Sequence, residues 1–490
     1  MIRRWPDCVV ALVAWLAVTE ACLAHGFGQR YDLPIPLAHY LWGAGATVAF
    51  SFVIFAVFLK TDLGPAPILR VPLRGIWRAL AHVGAAGVRA LVVVVFLTVV
   101  MAGTFGEQNP IRNIAPAMVW IIGWVGIAFL SPLLGDVWRF INPWDTMFRG
   151  AEWIHRRLGG RGELGLRRRY PEWLGVWPAF ALFVGFAWME LVWSGRSVPA
   201  ELAGALALYS VVTLTGMAVF GRATWLERGE VFTLVFGIFA RFAPLACPRT
   251  PEGGLNVRLP ASGLIGDRPL HPSMVALVIA LLATVTFDGF LETPVWARVD
   301  AAILNAPYDS ALWTVLREDQ ALRLARSIAL PAAIVLFVAG YLAVCRCMSV
   351  LSADKTMTTA MLARRFVLTL VPISLAYHVA HYVSYLFVGG QYAIPLISDP
   401  FGWGWNLFGT AAYQIDIGVI GPRLQWYVAV VSVVTGHIIA VCLSHIVALR
   451  IYPEGRSALI TQIPMLALMV AYTMCSLWIL SQPIVETGPG

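Results

Sequence analysis

Ten apolar stretches, each about 20 residues long, constrain the fold of this chain more than any other feature. A helix needs about 20 mainly apolar residues to cross the hydrocarbon core of a bilayer. Only 13% of the 490 residues are charged, whereas soluble proteins carry about 25%. The sequence therefore predicts an all-α polytopic transmembrane helix bundle of about ten spans. The predicted spans cover residues 37–59, 85–102, 115–134, 174–193, 200–220, 273–290, 328–350, 366–388, 426–449 and 460–480.

The N-terminus is typical of a secretory signal peptide. Two arginines precede an apolar core, and small residues follow that core up to Ala24. Cleavage after Ala24 would make residues 1–24 a signal peptide and His25 the first residue of the mature chain. Residues 25–490 would then form a single integral membrane domain. Lipidation at Cys22 is an alternative, although the residues before it fit a lipidation signal poorly.

The positive charge is distributed unevenly between the loops. Loop 135–173 alone holds eight arginines, and every second loop along the chain is rich in arginine or lysine. Because such loops stay on the cytoplasmic side of a membrane, we expect both termini to be external. The net charge is +8. In a membrane protein such an excess of basic residues mainly sets topology through the cytoplasmic loops, so we do not expect nucleic-acid binding.

Several segments between the spans have a mixed character. Segments 65–81, 230–245 and 296–316 combine apolar residues with arginines or acids, so we expect them on the membrane surface or as linkers packed on the bundle. In the stretch "GDVWRFINPWD", which begins at Gly135, the Asn-Pro pair indicates a turn and the tryptophans suit an interfacial belt. We predict a structural role for this stretch.

The span at 366–388 carries the first candidate site. At about 100° per residue, Ser374, His378, His381, Tyr382 and Tyr385 share one helix face. Polar groups in hydrocarbon need partners, so this stripe should face the bundle interior. Ionisable residues inside a span mark functional sites by default. The alternative is that each histidine only forms a hydrogen bond with a neighbouring helix.

Depth in the membrane selects the partners of the stripe. With a rise of about 1.5 Å per residue, His437 should lie within about 6 Å of the depth of His378 and His381, and His445 about 12 Å deeper. We therefore predict that His378, His381 and His437 converge on a metal in the outer half of the membrane. Asp288, at the outer end of span 273–290, is a further candidate ligand.

His25 is a second candidate metal ligand. An N-terminal histidine offers its amine and a ring nitrogen, a chelate that favours copper. The alternative is that the residue after a cleavage site has no role. The sequence has no phosphate-binding glycine loop, no His-Glu-x-x-His and no Gly-x-Ser-x-Gly, and its 7 cysteines have no metal-site spacing. The common enzyme classes are therefore not indicated.

Three motifs carry a resemblance to a known family. The stretches "AHGFGQRYDLPIP", "GDVWRFINPW" and "GHIIAVCLSH" resemble bacterial polytopic membrane proteins that are often labelled fenitrothion hydrolase or its membrane subunit. The resemblance implies hydrolysis of an organophosphate triester in the inner membrane, together with a second membrane subunit. It carries over, without assigned roles, to His25, Asn142, Pro143, Trp144, His437 and His445.

The hypothesis that follows is metal-assisted hydrolysis of a lipophilic ester. Zinc or copper held by the histidines would activate a water molecule, and a lipophilic small molecule would reach the site through the membrane lipids. Two alternatives stay open. The chain is a haem- or copper-binding redox subunit, with His437 facing His378 or His381 as an axial ligand, or it is a transporter or assembly factor whose histidines relay protons or ions.

Overall fold

The structure, a computed structural model, describes most of the chain after the N-terminus. The described residues are 33, 35–60, 68–71, 75–160, 164–246, 255–266, 268–307, 313, 315–452 and 455–482. The proposed signal peptide, residues 1–24, and His25 lie outside them, so both stay predictions.

The described part of the chain is almost entirely helical, which confirms the predicted all-α polytopic bundle. The helices are α1 (Leu37–Phe58), α2 (Gly75–Phe105), α3 (Ile114–Leu134), α4 (Trp138–Ile141), α5 (Pro143–Arg157), α6 (Trp177–Leu191), α7 (Pro199–Phe220), α8 (Arg222–Arg228), α9 (Val231–Ala240), α10 (Pro272–Leu291), α11 (Pro294–Leu304), α12 (Glu318–Leu351), α13 (Thr359–Phe366), α14 (Val371–Ser384), α15 (Ala393–Ser398), α16 (Pro422–Ile451) and α17 (Gly455–Ser481).

Ten helical segments of the described chain are long and apolar enough to cross a membrane. They contain α1, α2, α3, α6, α7, α10, α12, α14, α16 and α17, one for each of the predicted spans. The eighth is the longest, because α13, α14 and α15 follow one another with short 3₁₀ and π turns from Thr359 to Ser398.

Three helices form the interior of the bundle. The apolar windows of the spans that contain α14, α10 and α16 are 89%, 72% and 56% buried, against 22% for α1 and 11% for α2. A helix that is apolar on all sides and covered by protein belongs to the core, whereas the peripheral helices turn their apolar side chains to lipid. Polar groups on α10 and α14 therefore need partners inside the protein.

Gly436 lets the interior helices α14 and α16 approach each other closely. A Cβ atom on Gly436 of α16 would lie 2.4 Å from the Cβ of Ala376 and 2.7 Å from the carbonyl oxygen of Pro372, both in α14. Small residues that let helix backbones approach are typical of membrane bundles. This contact fixes α16 against the helix that carries the histidine stripe.

Two π-helical segments meet near the end of α14. Residues Ala117–Gly126 of α3 and Tyr385–Gly389, which follow α14, both have π-helical hydrogen bonds. A Cβ on Gly389 would lie 2.9 Å from Cδ1 of Ile121, so the two segments are in direct contact. π turns inside helices occur mostly at functional sites.

A small sheet joins loops at the opposite end of the bundle. Strand β1 (Ile68–Val71) pairs with β3 (Leu255–Arg258), and β3 pairs with β2 (Leu245–Ala246), all antiparallel. The topology predicted from charge puts both loops on the cytoplasmic side, and the pairing requires that they lie at the same end. We call this end the expected inner end, and the end where α6, α10 and α14 finish the expected outer end.

Segment 230–245 is packed into the bundle, so of the two alternatives expected for it the packed linker is the closer to the structure. Helix α9 is buried inside the bundle, with Val231, Val235 and Phe236 inaccessible to solvent. Its first turn is capped by the buried carboxylate of Glu230, which accepts hydrogen bonds from the backbone N–H groups of Phe232 and Thr233. A helix of 10 residues is too short to span a bilayer, so α9 packs inside the bundle without crossing the membrane on its own.

The carboxylate of Glu230 also holds side chains of the "GDVWRFINPWD" stretch in place. Glu230 also accepts hydrogen bonds from Nε1 of Trp138 and Nδ2 of Asn142, each at 3.2 Å, and from the hydroxyl of Tyr209. The side chain of Asn142 accepts a bond from the backbone N–H of Asp145 and so caps α5. These contacts give the stretch the structural role predicted for it.

Candidate functional site

Three side chains from α10 and α14 form a hydrogen-bonded group. His381 Nε2 lies 2.9 Å from Asp288 Oδ2, and the hydroxyl of Tyr382 lies 2.7 Å from the same oxygen. His381 and Tyr382 come from consecutive positions near the end of α14, and Asp288 lies three residues before the end of α10. The polar stripe therefore faces protein at these positions, as the cost of unpaired polar groups in lipid requires.

A fourth side chain extends this group to α6. Oε1 of Glu190, one residue before the end of α6, lies 3.1 Å from the hydroxyl of Tyr382. A phenol has one proton and can donate it to only one of the two carboxyl groups. If Tyr382 donates to Asp288, Glu190 must be protonated to donate to Tyr382 in turn. In that arrangement the group carries one more proton than two carboxylates and a phenol would.

We call Glu190, Asp288, His381 and Tyr382 the acid–histidine cluster. It is partly exposed at the protein surface, with 22% of the Asp288 side chain and 16% of the His381 side chain accessible. The Arg196 guanidinium donates to the backbone carbonyl of Glu190 at 2.6 Å, so a positive charge lies beside the cluster. The cluster therefore lies near the ends of α6, α10 and α14 that finish at the expected outer end.

His378 lies one turn before the cluster and is 4% exposed. Its ring packs on Tyr382, with a centroid distance of 4.7 Å, and on the rings of Trp124, Phe129 and Phe239, at 5.5 to 6.1 Å. Its Nε2 is buried and has no hydrogen-bond partner in the described part of the chain. An unpaired imidazole nitrogen in such a setting has a destabilising desolvation cost unless a water molecule reaches it.

A small cavity lies between His378 and the cluster. Its lining includes Trp124, Glu190, Ser374, His378 and Tyr382, and about 10 Å³ is open to the centre of a water molecule. That volume is about enough for one water molecule, and the polar lining offers such a water several partners. The unpaired His378 and Glu190 both line this cavity.

His437 has a different set of neighbours. Its Nδ1 donates to the backbone carbonyl of Val433 at 2.8 Å, and its ring lies 5.8 Å from that of Tyr472. The hydroxyl of Tyr472 is bonded to Thr286 on α10. Thr286 and Asp288 are two residues apart, so they point in directions about 200° apart around α10. The contacts therefore link His437 to the other side of α10 from the acid–histidine cluster.

His445 holds helices together, apart from the other histidines. Its Nε2 lies 2.9 Å from the carbonyl oxygen of Leu59, at the end of α1, and its Nδ1 lies 3.2 Å from Oε1 of Gln462 on α17. His445 is 1% exposed. It satisfies a carbonyl group that helix α1 leaves unpaired at its C-terminus, so its role is in packing.

The predicted metal site lacks a geometric basis among the residues that the structure describes. Within that part of the chain, no group of three or more His, Cys, Asp or Glu side chains is arranged to hold a metal ion. Asp288 and His381 come together, whereas His437 has other partners and His25 lies outside the described residues. The shared site of His378, His381 and His437 stays a prediction.

Sequence reasoning missed two members of the site. The sequence analysis did not single out Glu190, although an ionisable residue between apolar neighbours in "AWMELVW", inside the predicted span 174–193, was a usable signal. Trp124 was treated only as part of an apolar stretch, and nothing in the sequence distinguishes it from the other 19 tryptophans.

Comparisons with known proteins were made on the whole chain. No protein-family model, no curated protein and no solved structure matches it.

Proposed function

We propose that this chain is an integral membrane protein that relays protons between the water at its expected outer end and the interior of its helix bundle, as part of proton-coupled transport. The observation that carries the proposal is the position of the Tyr382 hydroxyl, within hydrogen-bond distance of Asp288 on α10 and Glu190 on α6. Connected acids, histidines and hydroxyls inside spans are characteristic of proton pathways in pumps and transporters.

The relay would operate by moving protons between neighbours in the cluster. Glu190 first releases its proton to the water in the cavity, from which Nε2 of His378 accepts it. Tyr382 then donates its hydroxyl proton to Glu190 and receives one from Asp288, which has itself taken the Nε2 proton of His381. His381 is restored by a proton from outside water. Glu190, Tyr382, Asp288 and His381 then hold the protons they had at the start, and His378 holds the one proton that has entered.

The size of the cavity favours a relay over a ligand-binding site. Pockets for small molecules have volumes of about 300–1,000 Å³, whereas the cavity beside Glu190 and His378 has room for about one water molecule. A relay needs only hydrogen-bonded neighbours and a path to water. The partial exposure of Asp288 and His381 supplies that path.

Proton entry into proteoliposomes tests this function. Purified protein is reconstituted with a pH-sensitive dye inside, and a potassium gradient with valinomycin makes the interior negative. We expect faster acidification with wild-type protein than with the Asp288→Asn variant or with empty liposomes. Glu172→Gln is the matched control, because its side chain is 83% exposed and lies outside the cluster. Equal rates for wild type and Asp288→Asn would contradict the proposal.

A second candidate function is hydrolysis of a lipophilic ester, as the family resemblance suggests. The observation that favours it is the pairing of His381 with Asp288, because a carboxylate that orients an imidazole is a common arrangement for a general base. The partial exposure of both side chains would let a water molecule reach the free nitrogen of His381. Neither a metal nor a second subunit is needed for this version.

Membranes that contain the protein can be assayed for release of a nitrophenol from an organophosphate triester. Ester hydrolysis predicts turnover in wild type that is lost in His381→Gln and retained in His445→Gln, provided that both variants accumulate in the membrane. Turnover that is absent from wild type, with and without added zinc or copper, would eliminate this candidate.

A further inference from the structure

A second cavity lies at the expected inner end, where α12 ends and α13 begins. Its volume is about 480 Å³, within the range of small-molecule sites. Two cationic side chains line it, Arg346 from α12 and Lys355 from the connection, together with hydroxyl groups from Ser349, Thr358 and Thr359. The cavity is far in sequence and topology from the acid–histidine cluster, at the opposite end of the bundle.

The hydrogen bonds around the cavity leave donors available. Lys355 Nζ donates to the carbonyl oxygen of Ser352 at 3.0 Å, which uses one of its three protons. The hydroxyl oxygen of Thr358 accepts from the backbone N–H of Met361, so its own proton is free to donate. Ser349 already donates to the carbonyl of Met357. Ammonium, guanidinium and hydroxyl donors in one concavity suit an anion with several acceptor oxygens.

Asp354, the acid nearest in sequence to Lys355, does not neutralise this set. Asp354 is in the same connection, but its Oδ1 accepts from the backbone and the hydroxyl of Thr356, at 2.8 and 2.7 Å, and does not line the cavity. These bonds hold the pKa of Asp354 below its ordinary value, so it keeps its negative charge. The two cations in the lining still outnumber this one acid.

We propose that this cavity binds a phosphate group. The apolar side of the cavity is Val350, which is 60% exposed on the last turn of α12. A phosphate that belongs to a lipid headgroup would have its acyl chains beside this apolar edge, and a free phosphate would use the same donors. Cationic clusters at the cytoplasmic ends of spans bind anionic headgroups in this way.

Native mass spectrometry and thermal unfolding test the proposal on the full-length protein. Phosphatidylglycerol, phosphatidylcholine and inorganic phosphate are the probes, each titrated separately. We expect phosphatidylglycerol or inorganic phosphate to bind on the order of tenfold more weakly to Arg346→Gln/Lys355→Gln than to wild type, since hydrogen bonds to charged groups are stronger than neutral ones. Lys60→Gln, another exposed lysine expected at the same end, is the control and should bind as wild type does.

The two sources of phosphate are distinguished by the probes. Binding of phosphatidylglycerol without binding of inorganic phosphate assigns a lipid site, and binding of both assigns a site for the phosphate group itself. Unfolding temperatures without added probe show whether the variant is folded, and Arg346→Lys keeps the charge if the double variant is not. Saturable binding to none of the probes, or equal binding by the double variant and Lys60→Gln, would overturn the proposal.

Discussion

His381 Nε2 lies 2.9 Å from Asp288 Oδ2, and this contact joins two interior helices near their expected outer ends. Tyr382, the next residue, reaches the same carboxylate oxygen at 2.7 Å and Glu190 at 3.1 Å. Because α14 presents consecutive polar residues to α10 and α6, one helix links two carboxyl groups that would otherwise be separate. That linkage is the basis of the proposed relay.

Replacement of Tyr382 by Phe should interrupt proton movement and leave the fold intact. The ring and its packing on His378 remain, but the hydroxyl that connects Asp288 to Glu190 is lost. We expect proton entry into proteoliposomes to fall to the level of the Asp288→Asn variant. Tyr385→Phe is the matched control, since Tyr385 is 44% exposed and its ring lies 6.2 Å from that of Tyr382. If the two tyrosine variants behave alike, the bridging hydroxyl has no special role.

Gly289 should be intolerant of a side chain. A Cβ at this position would lie 2.7 Å from the hydroxyl of Tyr377 and 2.8 Å from Cγ2 of Ile479. Overpacking of this kind costs about 1–3 kcal/mol, so Gly289→Ala should lower the unfolding temperature. Gly340→Ala in α12 is the control: no atom lies within 4 Å of its Cβ, and alanine in a helix is favoured over glycine by roughly 0.5–1 kcal/mol. Equal stability of both variants would contradict the packing described.

Glu230 should be essential for folding and not for proton movement. Removal of its carboxylate in Glu230→Ala leaves several buried donors, among them Trp138 and Asn142, without their acceptor. Each such donor costs roughly 1–3 kcal/mol, so we expect a much lower unfolding temperature or a loss of protein from the membrane. Glu172→Ala, with an exposed side chain, should unfold as wild type does. A stable Glu230→Ala variant would show that other groups satisfy these donors.

The two ends of the bundle should be labelled from opposite sides of the membrane. In a cysteine-free background, Gln414→Cys lies in the exposed connection before α16 at the expected outer end, and Arg168→Cys lies in the arginine-rich loop after α5. A membrane-impermeant maleimide added to intact cells should react with the first position and reach the second only after lysis. The reverse pattern would invert the topology predicted from charge.

Hydropathy was sufficient to predict the ten spans, because the bilayer imposes a length and an apolar composition that local sequence reveals. It left α9 open between a segment on the membrane surface and a linker packed on the bundle, and only the surrounding helices explain its burial. The site was partly predictable: Asp288 and His381 were candidates from their positions in spans. His437 illustrates the limit, because the rise per residue gives depth but not which neighbouring helix a side chain meets.

The central claim is that Glu190 holds a proton that Tyr382 can replace, and infrared spectroscopy measures that proton directly. A protonated carboxyl group has a C=O stretching band that is distinct from those of a carboxylate and shifts in D₂O. We expect such a band in wild-type protein and its loss in Glu190→Gln. In Tyr382→Phe the frequency of the band should change, because the hydrogen bond between Glu190 and the phenol is then missing. A band that survives unchanged in Glu190→Gln, or its absence from wild type, would contradict the account.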